Sequence, residues 1–390
     1  MTPSSRTPGP IRLLALGHGC VDVYQGAVAA LVPFFVAERE YTYAAASGLV
    51  LAASVLSSVV QPLFGMLADK RTMAWLLPVS TLIAGLGLAL VGLTDTYVLT
   101  LAAVAVSGIG VAAYHPEAAR VAWMASRGNH TAMAWFSLGG NLGFMAAPLV
   151  VFAVVAADGL EASPLLVIPA VVGAALCARA LRTISASATT TDEARTRHPV
   201  SRDDWRSFTS LSAAIACRSI VFVGLAAFIA LYASQRSGFG HAAGTVALVV
   251  LYTGGAIGTV VGARLATLFG RISVVRWSYA LTVLAVAGVV YVPGPVFYVF
   301  VALTSVCLYV PFSLHITLGQ DYLPRRMGTA SGVTLGLTVS IGGLASPLIG
   351  VIADATSLQL ALAPLIVLPA LGVVFLRTLR DPETELTAAQ

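Results

Sequence analysis

The residues of this chain that could do chemistry stand inside long apolar runs, where polar groups are hardest to keep. His18, Asp22 and Gln25 occur in GHGCVDVYQG, and spacings of four and three residues place them on one face of a helix. Counted from Arg12 at 1.5 Å per residue, Asp22 lies roughly 15 Å along, near the middle of a ~30 Å hydrocarbon core. A carboxylate there costs at least about 2.5 kcal/mol to insert, so it needs a partner or a wet cavity. His115 and Glu117 flank Pro116 in GIGVAAYHPEAAR, where a proline frees a backbone carbonyl and is predicted to interrupt the helix. Arg218 stands at nearly the depth of Asp22 in a later run, with His315 further on. Carboxylates and imidazoles so placed suit proton exchange, and a guanidinium fork suits a carboxylate or phosphonate better than a lysine would. Asp22, Glu117, His18 and His115 are therefore predicted to couple to protons, and Arg218, Gln25, Tyr24 and His315 to touch a substrate. Four of them have a structural alternative: Asp22 as a helix anchor, Asp22 and Arg218 as an ion pair with each other, Glu117 as a partner of Arg120, His315 as a packing residue.

The elements that must hold these residues follow from composition. Of 390 residues, 58% are hydrophobic and only 10% charged, where a soluble domain carries about a quarter charged; mean hydropathy is +0.88. At about 20 residues per crossing, the length suits roughly twelve spanning helices. Apolar runs place them near 12–36, 44–67, 74–93, 97–119, 131–156 and 163–181, then near 207–234, 242–266, 273–292, 296–318, 328–352 and 358–378. The run after the polar Met1–Pro10 is too long for the core of a signal peptide and is taken as the first span. Of the 22 Lys and Arg, all but Arg39, Arg236 and the intramembrane Arg218 fall on one side of this pattern, which predicts that both termini and the central polar segment are cytoplasmic. The net charge of +5 reports that loop bias and contact with anionic lipid, not nucleic acid. Cys20, Cys177, Cys217 and Cys307 all fall inside spans and read as packing residues.

The chain also repeats itself at an offset of 198 residues: Gly26 with Gly224, Asp69 with Thr267, Glu117 with His315, Thr131 with Thr329. Two parallel copies of a helical half are therefore expected, 1–182 and 207–390, joined by a polar linker over 183–206. A central site between such halves implies movement of a solute. No metal-ligand cluster, phosphate-cradling loop or nucleophile–base pair appears in any loop, so no metal, cofactor or covalent chemistry is expected.

The loop after the second span, QPLFGMLADKR, and its repeat partner GARLATLFGRI resemble the signature of the major facilitator superfamily. Gly65, Asp69, Lys70 and Arg71 carry the first copy; Ala263 and Thr267 replace Gly and Asp in the second. A one-sided conformational brace is implied, Asp69 meeting the helix start after Arg325 and Arg326. Gly139, Gly143 and Pro148 in the fifth span form a loose version of the glycine–proline motif of that superfamily's antiporters, though small residues also serve plain close packing. HGCVDVYQGAVAALVPFF, GIGVAAYHPEAARVAWMAS and YLPRRMGTASGVTLGLTVSIGGLASPLIG together resemble the fosmidomycin-resistance branch. That resemblance implies an all-α membrane protein with the major facilitator superfamily fold: twelve transmembrane helices in two pseudo-symmetric six-helix halves. It further implies an efflux antiporter of a bacterial inner membrane that exchanges a drug or related organic compound for protons; the chain is expected to act as a monomer. A proton-coupled uptake symporter for a sugar or organic anion would use the same residues.

Overall fold

In lipid a backbone must satisfy its own polar groups within each segment, and helices do so. The computed structural model describes residues 9–70, 72–126, 130–185, 203–236 and 240–379, and every regular element among them is helical. The first half holds α1 (Gly9–Glu38), α2 (Tyr43–Lys70), α3 (Leu76–Ala89), α4 (Tyr97–Ser126), α5 (His130–Asp158) and α6 (Val167–Ser185). The second holds α7 (Trp205–Arg236), α8 (Gly240–Phe269), α9 (Arg271–Tyr291), α10 (Val296–Tyr309), α11 (Phe312–Tyr322), α12 (Met327–Ala355), α13 (Leu358–Leu362) and α14 (Val367–Leu376). Among the described residues, eleven helical segments are long and apolar enough to cross a membrane, and α2 adds a shorter apolar run, Tyr43–Leu56.

Two expectations about helix continuity change. Pro116 does not interrupt its helix: α4 runs through it to Ser126, because buried Glu117, Ala118, Val121 and Ala122 hold the turns that follow. The break comes instead in the tenth span, at Val310–Pro311 between α10 and α11. Pro311 has no N–H for the carbonyl of Cys307. Ser278 Oγ donates to that carbonyl and Arg218 Nε to the next one, Leu308, so the exposed acceptors are satisfied from α9 and α7.

The chain divides into two compact units, Met1–Arg39 with Ala52–Ala194, and Glu40–Leu51 with Arg195–Gln390. They follow the sequence repeat except that the first turns of α2 belong with the second unit. In the first unit α1 packs on α4, α5 and α6, and missing side chains set the spacing. A Cβ on Gly139 would lie 2.0 Å from Ala15 O and one on Gly143 2.2 Å from Gly19 O, so these two glycines of the fifth span serve close packing. The second unit repeats the device where a Cβ on Gly342 would lie 2.3 Å from Ser219 O. Arg39 donates to Thr94 O at 2.6 Å and Gly92 O at 2.8 Å, closing the end of the short 3-10 turn Val91–Leu93 after α3. Arg236 donates to Val290 O at 3.0 Å at the end of α9. The two arginines set apart by the charge pattern are thus equivalent caps of helix C-termini.

The first turn of α2 is held within the second unit. Asp354 Oδ1 accepts from Tyr43 N at 2.7 Å and Oδ2 from Ala44 N at 2.9 Å, while Gln235 Nε2 donates to Tyr43 Oη at 2.7 Å. Of the expected cytoplasmic brace, the side chains of Gly65, Asp69 and Lys70 and the whole of Arg71 lie outside the described residues, as does linker segment 186–202. Arg325 N donates to Asp203 Oδ1 at 3.1 Å, and Arg326 Nε lies 3.6 Å from Asp203 Oδ2 and over the Trp205 ring. Both arginines of that motif therefore engage the residues just before α7.

Candidate functional site

In the first unit, α1 carries His18 and Asp22 one turn apart, and α4 delivers His115 to the same point. His18 Nε2 lies 3.3 Å from Asp22 Oδ2, and His115 Nε2 lies 3.1 Å from Asp22 Oδ1. Asp22 is 4% exposed and His18 8%, so the carboxylate depends on these neighbours for its polar contacts. The far side of each ring is pinned by the backbone: His18 Nδ1 meets Phe136 O at 2.9 Å and His115 Nδ1 meets Val111 O at 2.8 Å. A carbonyl can only accept, so both Nδ1 atoms carry hydrogen, and in a neutral ring Nε2 is then an acceptor. Each Nε2 faces a carboxylate oxygen, also an acceptor. Two lone pairs attract only when a proton lies between them, so this arrangement can act as a receptacle for protons. Phe136 stacks on His18 at 4.3 Å between ring centroids. On the open flank is Gly140, where a Cβ would fall 2.4 Å from Asp22 Oδ2.

Glu117 is not part of this group. It is fully buried and bound by Arg120 through Nε at 2.9 Å and through NH2, and it accepts from Met73 N at 3.2 Å. The reason is rotational: at 3.6 residues per turn, positions 115 and 117 of one continuous helix point about 200° apart. Expecting a break at Pro116 hid this. Tyr24 is buried, its hydroxyl donating to Leu166 O at 2.8 Å, and Gln25 is half-buried on α1.

In the second unit Arg218 is 1% exposed. Its Nε is taken by Leu308 O, its Cζ stands 5.0 Å from the Tyr309 ring centroid and 5.4 Å from that of Phe312, and NH1 and NH2 have no hydrogen-bond partner among the described residues. The cleft beside Arg218, lined by Tyr279, Thr282, Cys307, Leu308 and Pro369, is too tight for a water molecule. His315 is buried, its Nε2 lying 3.4 Å from Tyr279 Oη, which donates to Ala214 O at 2.9 Å. A buried guanidinium with two unsatisfied nitrogens can accept further hydrogen-bond acceptors.

Sequence reasoning missed four contributors: the carbonyls of Phe136 and Val111, Gly140 and Ser278. Only Val111 had a sequence signal, since it precedes His115 by one helical turn.

Comparison with known proteins gives a family and a fold. The family model of the Major Facilitator Superfamily matches residues 14–347. The fosmidomycin resistance protein of Escherichia coli (strain K12) is 28% identical over 380 residues, covering 96% of this chain and 93% of that protein. An uncharacterized MFS-type transporter of Bacillus subtilis (strain 168), YfnC, is also 28% identical, over 93% of this chain and 90% of its own. Among solved structures, an inward-facing and occupied bacterial homolog of the human lysosomal transporter Spinster aligns with a TM-score of 0.76 at 16% identity, covering 94% and 95% of the two chains. The nucleoside transporter NupG aligns at 0.73 and 13% identity, covering 95% and 99%. At such identities the two structures speak to the fold alone.

Proposed function

The chain belongs to the Major Facilitator Superfamily, and from that premise we propose that this multi-pass membrane transporter, which is not an enzyme, is a proton-driven exporter of a small organic compound. The observation that carries the reading is the carboxylate of Asp22 held between two imidazoles whose outer nitrogens are fixed by backbone carbonyls. Proton entry fills the contacts between Asp22, His18 and His115. Proton loss leaves lone pairs opposed and drives the group toward its other conformation, the step that alternating access needs. Export is favoured over uptake by likeness to a protein named for fosmidomycin resistance. Arg218 supplies the complementary function in the other unit: when the transport cycle opens the tight cleft beside it, its two unsatisfied nitrogens receive an anionic group of the cargo. Glu117, tied to Arg120 and Met73, holds the connection before α3, and the proton work falls to the other three.

The test is coupled flux in proteoliposomes carrying equal amounts of wild type and Asp22→Asn under an imposed pH gradient. Asparagine keeps shape and hydrogen bonding but does not titrate, so coupled transport is expected to vanish while insertion and folding persist. Wild-type coupled flux in the variant would end the assignment, and cargo accumulating down the proton gradient would make the protein a symporter. Arg218→Lys keeps the charge and loses the fork, so it is expected to weaken binding of an anionic phosphonate more than that of a neutral drug. Equal loss of both would assign Arg218 to structure.

A further inference from the structure

Away from both sites, three arginines converge where α7 begins and α14 ends. Arg206, Ser207, Arg276, Arg377, Thr378 and Leu379 line a cleft of about 600 Å³. Among the described residues the lining offers three guanidinium groups and two hydroxyls and no carboxylate. Arg276 caps a helix end. Its Nε donates to Leu376 O at 3.0 Å and its NH2 to Arg377 O at 3.0 Å and Leu379 O at 2.8 Å, satisfying the last carbonyls of α14. Arg206 and Arg377 cap nothing. Both are exposed, and neither guanidinium has a hydrogen bond or ion pair among the described residues. Among the described residues the acids just before α7 are occupied, Asp204 by Ser207 N at 3.1 Å and Asp203 by Arg325 and Arg326.

We propose that this cleft binds the phosphate head group of an anionic phospholipid. Three like charges around one space repel unless an anion lies among them, and a phosphodiester accepts from several guanidinium groups at once. The surroundings point to a lipid as the source. Trp205 and Trp277 are 44% and 70% exposed, and Leu371, Val374 and Phe375 on α14 are also exposed. Tryptophan at a span end marks the interfacial layer, and exposed apolar side chains along a spanning helix meet acyl chains. Basic pockets between spanning helices at that level take lipid head groups. The sequence repeat points the same way independently. Arg377 has Arg179 as its partner at the 198-residue offset, but Arg206 and Arg276 have Pro8 and Pro78. The fold therefore does not require three arginines at this place, and the first half does without them. The cleft lies wholly within the second unit and is independent of the proton receptacle and of Arg218.

The proposal is tested on the full chain, purified in a nonionic detergent and delipidated, by native mass spectrometry and thermal unfolding with added dioleoyl phosphatidylglycerol, dioleoyl phosphatidylcholine or inorganic phosphate. Wild type is expected to retain phosphatidylglycerol and to be stabilised by it, and to respond little to phosphatidylcholine or to inorganic phosphate. The double variant Arg206→Ala/Arg377→Ala should bind phosphatidylglycerol roughly 30-fold more weakly, at about fivefold per arginine. Arg276 stays in place because its loss would free the end of α14. Arg264→Ala, which removes an exposed arginine of α8, should bind like wild type. Undiminished affinity in the double variant would overturn the site. Displacement of the lipid by inorganic phosphate at equal concentration, with equal stabilisation, would overturn the lipid as its occupant.

Discussion

Asp22 shows how much of a buried group's chemistry is set by atoms two bonds removed. The carboxylate and the imidazole Nε2 atoms touch, but the carbonyls of Phe136 and Val111 decide which nitrogen carries hydrogen and so make each contact depend on a proton. The room for this arrangement comes from a missing side chain. A Cβ on Gly140 would stand 2.4 Å from Asp22 Oδ2 and 2.7 Å from His18 Cε1, so Gly140→Ala is expected to displace the carboxylate and reduce coupled flux to the level of Asp22→Asn. Gly336→Ala, at a helical glycine with nothing within 4 Å of the new methyl, is the matched control and should transport like wild type. Equal activity of the two alanine variants would show that the carboxylate relocates without loss.

At the scale of the element, the start of α2 gives a complete account of four amide groups. Tyr43 N and Ala44 N are taken by Asp354, Ala45 N by Thr42 Oγ1 at 3.1 Å, and Ala46 N by Thr42 O at 2.9 Å. Half of this cap is local and half comes from the end of α12, more than 300 positions on. Gly350 makes the approach possible, since a Cβ there would lie 2.7 Å from Ala44 Cα. Just before α2, Glu40 has φ 52°, the one non-glycine residue with positive φ among those described, and the division between the two units falls between Arg39 and Glu40. Asp354→Ala is expected to cost about 0.5–2 kcal/mol of local stability. Hydrogen exchange should register this at Tyr43 and Ala44 first, whereas Thr42→Ala should act first at Ala45. If Asp354→Ala leaves the exchange of Tyr43 and Ala44 unchanged, the contact holds nothing.

For the whole molecule, the arginines fix an expected orientation. Arg39 and Arg236, the exceptions to the charge pattern, are spent on helix-end carbonyls, so the remaining loop arginines give a one-sided distribution and predict a cytoplasmic linker. Native cysteines interfere little with labelling, because Cys177, Cys217 and Cys307 are buried and Cys20 half-buried. A cysteine introduced as Thr190→Cys in the linker is expected to react with a membrane-impermeant maleimide only after lysis. One introduced as Asp95→Cys, between α3 and α4, should react in intact spheroplasts. The reverse pattern would invert the topology and place the three-arginine cleft on the outer leaflet.

Several features were legible in the sequence because lipid is a severe solvent. Apolar runs of about 20 residues had to be helices, and the spans near 12–36 and 207–234 correspond to α1 and α7 within a few residues. His18 and Asp22 had to share a face because they are one turn apart on one helix. What the sequence left open were choices between partners, which depend on how helices rotate against one another. His115 and Glu117 were both grouped with Asp22, but on a continuous α4 His115 meets Asp22 while Glu117 is bound by Arg120. The interruption moved from Pro116 to Pro311 because continuity through a proline depends on whether neighbours hold the turns and supply donors. Arg218 was known to be deep, but only the packed unit shows its Nε spent on Leu308 and its two terminal nitrogens unspent. Hydropathy and spacing report where a residue lies along its helix; which way it points, and at what, is decided by the packing of the other helices.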